Sequence, residues 1–104
     1  MIIYVDVDNT ICSTPITAEY AKARPIYARI RKINQLYDEG NTIIYWTARG
    51  TKSKIDWSEL TKQQFEDWGV KYHDLQFGKP VYDLFIDDKN MNSGIFFREL
   101  GIYD

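Results

Sequence analysis

The stretch that decides the fold is Ile2-Ile-Tyr-Val-Asp6-Val-Asp8-Asn-Thr10, near the start of the sequence. It begins with a continuous apolar and largely β-branched run, which is typical of a strand buried in a parallel sheet. It then becomes polar, with two aspartates separated by one residue. Because side chains two apart in extended backbone point to the same side, we expect a strand over residues 2–6 that presents Asp6 and Asp8 together at its end.

Predicted helices and strands alternate along the rest of the chain. Helices are indicated by apolar residues at helical spacing followed by a glycine, and strands by short apolar runs. The predicted elements are a loop over 11–24, a helix from Pro25 to about Glu39, a strand over 42–47, a helix from about Asp56 to Trp68, and strands over 70–75 and 81–86. Residues 93–100 are left open between a short helix and irregular structure. This alternation predicts βαβ units with right-handed crossovers, hence an α/β fold with a central parallel sheet in one domain over residues 1–104.

Length and composition limit the class of protein. The 104 residues suffice for one domain with a real core, and 44% hydrophobic with 27% charged residues is typical of a soluble globular protein. The net charge is −2 and the basic residues are dispersed, which argues against a dedicated nucleic-acid binder. No apolar run is long enough for a transmembrane helix, no signal peptide is recognisable, and the single cysteine, Cys12, cannot form a disulfide within the chain. We therefore expect a cytoplasmic protein with no membrane partner.

Polar residues follow three of the predicted strands. Asp6 and Asp8 follow the first, Thr47 ends the second, and Asp87-Asp88 follow the fourth. Ligands of parallel sheets bind beyond the carboxyl ends of the strands, so we expect these groups to meet at one edge. Converging carboxylates make a site for a hard cation, and Mg²⁺ is the natural occupant because it leaves room for water and a substrate phosphate. With the ammonium group of Lys79, the set contains a nucleophile, an acid/base, a metal site and a cation for phosphoryl oxygens.

These motifs, taken in order, resemble a known family. Asp6-Val-Asp8-Asn-Thr10, then Thr47, then Lys79, then Asp87-Asp88 resemble the four motifs of the haloacid-dehalogenase (HAD) superfamily over essentially the whole chain. Narrower matches, to small phosphatases associated with bacterial capsule-polysaccharide gene clusters, lie at residues 8–14, 21–25, 47–49 and 85–89. The resemblance implies a three-layer Rossmann-like HAD domain and a magnesium-dependent phosphomonoesterase that works through an aspartyl phosphate. The intervals between the motifs are too short to hold a cap domain.

The resemblance also implies a role for each matched position. Asp6 would attack phosphorus, and Asp8 would protonate the leaving oxygen and then deprotonate the water that hydrolyses the intermediate. Thr10 would brace the loop that carries both aspartates. Thr47 and Lys79 would hold the phosphoryl group during transfer.

The metal and substrate contacts follow from the same resemblance. Mg²⁺ would be bound by Asp6, the backbone carbonyl of Asp8, and the acidic pair, with Asp88 a more direct ligand than Asp87. Substrate contacts are expected from Asn9, Thr10, Ala48 and Arg49. Asn9 stands where the family usually has glycine, and asparagine is among the residues that best tolerate a positive φ.

Several of these residues also suit purely structural roles. An Asp-x-Asp-x-Thr motif alone is typical of a turn, and only the complete set of motifs favours chemistry. An EF-hand loop is excluded because Ile11 occupies its glycine position and Thr17 its final glutamate position. Arg49 is left open between a surface salt bridge and a contact to the leaving group of the substrate. His73 and Cys12 are expected to be structural, Cys12 as a small packing residue and not a nucleophile.

The expected substrate is a small phosphorylated metabolite, with a sugar phosphate the leading candidate. The alternatives are a phosphatase for polynucleotide ends and a non-catalytic binding or regulatory module of the HAD fold. Retention of both Asp6 and Asp8 argues against the module. Three aromatic side chains, Trp57, Trp68 and Tyr103, exceed what a small core hides, which leaves a homo-oligomer open.

Overall fold

The structure, a computed structural model, describes residues 1–102 as alternating strands and helices. Three strands and two helices follow the predicted order closely, and the tail 93–100 contains a short helix. The elements are β1 Ile2–Val5, β2 Cys12–Ser13, β3 Arg24–Pro25, α1 Tyr27–Asp38, β4 Thr42–Trp46, α2 Ser58–Trp68, β5 Asp74–Gln76 and α3 Ser93–Glu99, with a 3₁₀ turn at Tyr20–Lys22. Tyr103 lies outside the described residues.

The sheet confirms the α/β prediction. Its strand order is β1-β4-β5, and both pairs are parallel, with Val5 opposite Tyr45 and Tyr45 opposite Leu75. Each pair is joined by a helix, as βαβ units require. The carboxyl ends of β1 and β4 therefore meet at one edge.

Two boundaries differ from the prediction for local reasons. Pro25 does not open α1, because it pairs with Cys12 in the short hairpin of β2 and β3 inside the predicted loop 11–24. The third strand begins at Asp74 and not at residue 70, and the residue before it, His73, is hydrogen-bonded to β4. The backbone N–H of His73 donates to the Ile43 carbonyl (2.8 Å), and its Nδ1 accepts from the Ile43 N–H (3.0 Å). His73 is thus structural, as expected.

The core lies on one face of the sheet. The side chains of Val5, Ile43 and Tyr45 on that face are buried in one cluster with residues from all three helices, Ile30 and Ile33 of α1, Phe65 of α2 and Phe97 of α3. Full burial of such a side chain stabilises the fold by about 1.5–3 kcal/mol. Tyr45 and Phe65 pack edge to face at 4.9 Å between ring centroids, which attaches α2 to the central strand.

The outward side of β1 is open to solvent. Ile2 and Tyr4, which alternate with the buried residues of β1, are 70% and 55% exposed. The described residues therefore form an α/β arrangement of a three-stranded parallel sheet and helices. None of their helices is long and apolar enough to cross a membrane.

The predicted fourth strand over 81–86 is wrong for this structure. The whole segment is exposed and irregular, and it pairs with no described strand. Its connection explains why. Only residues 77–80 follow β5 before the segment begins, whereas a crossover to a parallel strand of the same sheet needs about a dozen residues or more. The apolar pattern of the segment is real, but this short connection does not allow it to pair in parallel with the neighbouring strand.

Candidate active site

A cavity of about 360 Å³ opens at the carboxyl edge of β1 and β4. Six of the predicted site residues line it, namely Asp6, Asp8, Asn9, Ala48, Arg49 and Lys79. Thr10 and Thr47 lie behind its wall, and Asp87 and Asp88 are not part of it. Of the residues predicted from strand ends, Asp6 and Asp8 therefore line the cavity, whereas Thr47 and the acidic pair of the predicted fourth strand do not.

Asp6 sits at the base of the cavity beside a cation. Its Oδ1 is 3.3 Å from Nζ of Lys79, and its Oδ2 accepts a weak hydrogen bond from the Thr10 hydroxyl (3.4 Å). Burial raises the pKa of Asp6 above its ordinary value, while the positive charge of Lys79 opposes that rise. The Thr10 hydroxyl thus contacts the first aspartate, and Lys79 places a positive charge beside it.

Asp8 is held by Arg49. The Nε of Arg49 donates to Asp8 Oδ2 (3.0 Å) and its Nη2 donates to Oδ1 (2.8 Å), a bidentate pair. The hydroxyl of Thr14 donates to the same Oδ1. The Arg49 side chain is 0% exposed and that of Asp8 21%. The surface salt bridge considered for Arg49 is therefore not what the structure shows.

Two further donors of Arg49 bond to α2. Nη1 donates to Oγ1 of Thr61 (3.0 Å) and to Oε1 of Gln64 (2.6 Å), and the guanidinium lies 4.8 Å from the ring centroid of Tyr20. Of the five N–H groups on an arginine, four are thus engaged within the protein. Arg49 borders the cavity, but its geometry is that of a positioning residue that fixes Asp8.

Sequence reasoning missed the partners that complete this network, Thr14, Tyr20, Thr61 and Gln64. A signal for two of them existed. Thr61 and Gln64 are polar residues on the helix face that also carries Phe65, and both are buried. Buried polar side chains need partners, so their place on an otherwise apolar face pointed to a buried polar group opposite.

Thr47 positions the loops around the cavity. It is 0% exposed, and its Oγ1 accepts from the backbone N–H of Arg49 (3.1 Å). Its carbonyl accepts from the backbone N–H of Lys79 (3.1 Å), and the Thr51 hydroxyl donates to the Lys79 carbonyl (2.7 Å). These hydrogen bonds fix the backbone position of Lys79. The Thr47 hydroxyl faces Arg49 and not the cavity.

Two residues beside the aspartates take the forms expected of them. Asn9 adopts φ 59°, the left-handed conformation that glycine would supply, and its Oδ1 accepts from the Thr14 N–H (3.2 Å). Cys12 is fully buried, and burial raises the pKa of its thiol to about 11. A thiol that holds its proton so firmly is not a nucleophile near neutral pH.

The residues as placed do not fit a magnesium ion. Among residues 1–102 no three side chains of the metal-binding types gather into a site. Asp6 and Asp8 each face a cationic partner, and Asp87 and Asp88 are exposed on the irregular segment after residue 80. The predicted ligand set is split between the cavity and that segment.

A second cavity, of about 570 Å³, adjoins the first. The two share Ala18, Tyr20, Ala48 and Val81, and the second adds Ile55 and Trp57 to its wall. Trp57 packs edge to face on Tyr20 (5.2 Å), so part of its predicted surplus area is used inside the chain. The cavity that the aspartates line thus has a larger cavity next to it, and the two share part of their walls.

Comparison with known proteins shows the fold and no more. No family model matches the chain, and no curated protein does. A crystal structure of a Vibrio cholerae target protein, which carries no functional name, matches with a TM-score of 0.81 at 22% identity, covering 91% of this chain and 85% of that one. The backbone arrangement is therefore shared with a solved protein, and function rests on the site.

Proposed function

We propose that this protein is a phosphomonoesterase of the HAD type that acts through an aspartyl phosphate on Asp6. The observation that carries the proposal is the cavity in which Asp6 lies 3.3 Å from the ammonium of Lys79, with Asp8 on the same wall. A carboxylate nucleophile, a second carboxylate for proton transfer and a cation for the transferring oxygens are the groups that such a reaction needs.

The proposed chemistry runs in two steps. In the first, a carboxylate oxygen of Asp6 forms a bond to phosphorus while the bond to the leaving oxygen breaks, and the carboxyl group of Asp8, which enters this step protonated, gives its proton to that oxygen. In the second, Asp8 takes a proton from a water molecule, which attacks phosphorus and releases Asp6 and inorganic phosphate. Lys79 stabilises the phosphoryl oxygens throughout, and Arg49 keeps the Asp8 carboxylate aimed at the reacting oxygen.

Mg²⁺ belongs to this proposal through the sequence resemblance alone. Since the described residues do not gather its ligands, we assign no step to it. Whether the reaction requires Mg²⁺ is a separate question, and the assay below answers it by comparing activity with Mg²⁺ and with EDTA.

The size of the two cavities supports a small phosphorylated metabolite as substrate. A phosphoryl group at Asp6 leaves the adjoining cavity of about 570 Å³ for the leaving group. Its wall offers aromatic and aliphatic faces at Tyr20, Ile55 and Trp57, against which a sugar ring can lie. A sugar phosphate remains the leading candidate, with a polynucleotide end as the alternative.

The test is phosphate release from a panel of hexose and heptose phosphates, an aryl phosphate and a 3′-phosphorylated oligonucleotide, with Mg²⁺ and with EDTA. Asp6→Asn should abolish turnover and keep the fold, and Asp8→Asn should slow turnover by about 10²-fold or more. The matched control is Asp38→Asn, which removes an exposed carboxylate of α1 that pairs with Lys71 and should keep full activity. Near-normal turnover by Asp6→Asn would disprove covalent catalysis, and activity undiminished by EDTA would disprove the metal requirement.

A further inference from the structure

The ammonium group of Lys79 lies at the end of a flexible side chain. The backbone of this residue is fixed, since its N–H donates to the Thr47 carbonyl (3.1 Å) and its carbonyl accepts from the Thr51 hydroxyl (2.7 Å). Its four-carbon stem, however, can adopt many conformations. The side chain is nonetheless only 14% exposed, and Nζ lies 3.3 Å from Oδ1 of Asp6. Because a partly exposed ion pair holds such a stem only weakly, other contacts must favour this one conformation.

Two aromatic rings supply those contacts. Nζ of Lys79 lies 5.4 Å from the ring centroid of Tyr82 and 6.0 Å from that of Trp46. A cation within about 6 Å of a ring face is attracted by the negative charge of that face. Trp46 is the last residue of β4 and packs edge to face on Tyr4 of β1 (6.2 Å), so the sheet fixes its ring. Tyr82 follows Lys79 by three residues and lines the same cavity. The ammonium is thus bounded by one ring from the sheet and one from the segment after it.

The rings hold the charge of Lys79 in a way that keeps its N–H groups available. A ring face attracts a cation but offers no oxygen that accepts a conventional hydrogen bond. An ammonium group has three N–H donors, and within residues 1–102 Asp6 is its one oxygen partner. Arg49, the other cation at the cavity, instead has four of its five N–H groups engaged by the protein. Lys79 is therefore the cation with donors to offer to the oxygens of a ligand.

We propose that Tyr82 and Trp46 are positioning residues, which hold the Lys79 ammonium beside Asp6 through cation–π contacts. Under the proposed function, on which this role rests, the free donors of Lys79 bind the oxygens of a phosphoryl group at Asp6. The contacts themselves do not depend on that chemistry. Tyr82 has the nearer ring and is 45% exposed, so its replacement leaves the core intact and gives the sharper test.

The position of the ammonium is tested by NMR of the wild-type protein and of ring variants. Protons above an aromatic ring resonate upfield, so the ε-methylene protons of Lys79 should lie upfield of their position in the unfolded protein. Tyr82→Phe keeps a ring and should keep the shift, whereas Tyr82→Leu should lose much of it, and Trp46→Phe and Trp46→Leu should differ in the same way. The matched control is Tyr27→Leu, at a 50% exposed tyrosine that begins α1, which should leave the shift unchanged. An unshifted Lys79 signal in the wild-type protein, or a shift that Tyr82→Leu leaves intact, would overturn the proposal.

The consequence for catalysis is tested by kcat/KM for an aryl phosphate. Tyr82→Leu should lower it by about 2- to 30-fold, the range of a cation–π contact from an exposed to a desolvated site. Tyr82→Phe should stay within about twofold of wild type, because the ring and not the hydroxyl holds the cation. An equal loss in Tyr82→Phe and Tyr82→Leu would show that the hydroxyl acts on the ligand, and the positioning role would be wrong.

The loss must also act through Lys79, which a double-mutant cycle measures. In a Lys79→Met background, Tyr82→Leu should change kcat/KM by no more than about twofold, because the ring then has no charge to hold. A full further loss in that background would show that the ring contacts the substrate directly and would refute the positioning role. If wild-type protein releases no phosphate from any substrate of the panel, the proposed function fails, while the NMR shifts still decide whether the rings hold Lys79.

Discussion

Replacing Arg49 by methionine should remove a large part of the stability of the protein. The change keeps the apolar stem and deletes four hydrogen bonds, leaving Asp8, Thr61 and Gln64 without their shared partner. Breaking a buried ion pair from one side costs about 3–5 kcal/mol. We expect about 3 kcal/mol, the low end of that range, because Asp8 retains 21% exposure and a hydroxyl donor from Thr14. Since the total stability of such a domain is about 5–15 kcal/mol, the melting temperature should fall by roughly 12 °C or more.

The assay is a double-mutant cycle by denaturant unfolding, with Arg49→Met and Asp8→Asn alone and together. The coupling free energy should be about 1.5–3 kcal/mol, as for hydrogen bonds to charged groups. The parallel cycle on the exposed pair Lys71 and Asp38, with side chains 50% and 57% exposed, should give about 0.2–1 kcal/mol. If the two cycles gave equal coupling, Arg49 would not be a buried clamp on Asp8 and its positioning role would be refuted.

Two further predictions concern ionisable groups. Burial raises the pKa of Cys12 to about 11. Its thiol should therefore resist a thiol reagent at pH 8 in the native protein and react at full rate only in denaturant. Rapid labelling of the native protein would contradict the packing role of Cys12. Because burial raises the pKa of Asp6, the native state holds this proton more firmly than the unfolded state, so the contribution of Asp6 to stability should fall as pH rises above the ordinary value of 3.8. Asp6→Asn removes that contribution, so its stability relative to wild type should improve from pH 3 to pH 7, and a constant difference in unfolding free energy across that range would contradict the raised pKa.

Much of the fold follows from local pattern. Apolar runs placed β1 and β4 within a residue or two, and Gly69, at φ 70°, ends α2 as expected of a helix-terminal glycine. The rule that ligands bind beyond the carboxyl ends of parallel strands also placed Asp6 and Asp8 together, and both line one cavity. These features depend on residues close in sequence, or on the general geometry of parallel sheets, and both can be read without knowing the tertiary packing.

The rest depends on contacts that local pattern does not encode. The role of Arg49 is set by Thr61 and Gln64, which α2 brings to it from 12 and 15 residues away. Residues 81–86 have the composition of a strand, but whether they join a sheet depends on the length of the connection before them and on which edge is free. Composition thus shows that a segment is able to form a strand, but the length of the connection before it decides which strand it can pair with.

The charges in the cavity limit which substrates it can accept. Asp6 and Asp8 contribute two negative charges, and Lys79 and Arg49 nearly balance them with two positive ones. A phosphate monoester dianion entering this neutral cluster adds two uncompensated charges to a partly buried site, which is unfavourable in a low dielectric. Catalysis on such a substrate therefore calls for further positive charge, and a divalent cation would in turn need more carboxylates than the cavity holds.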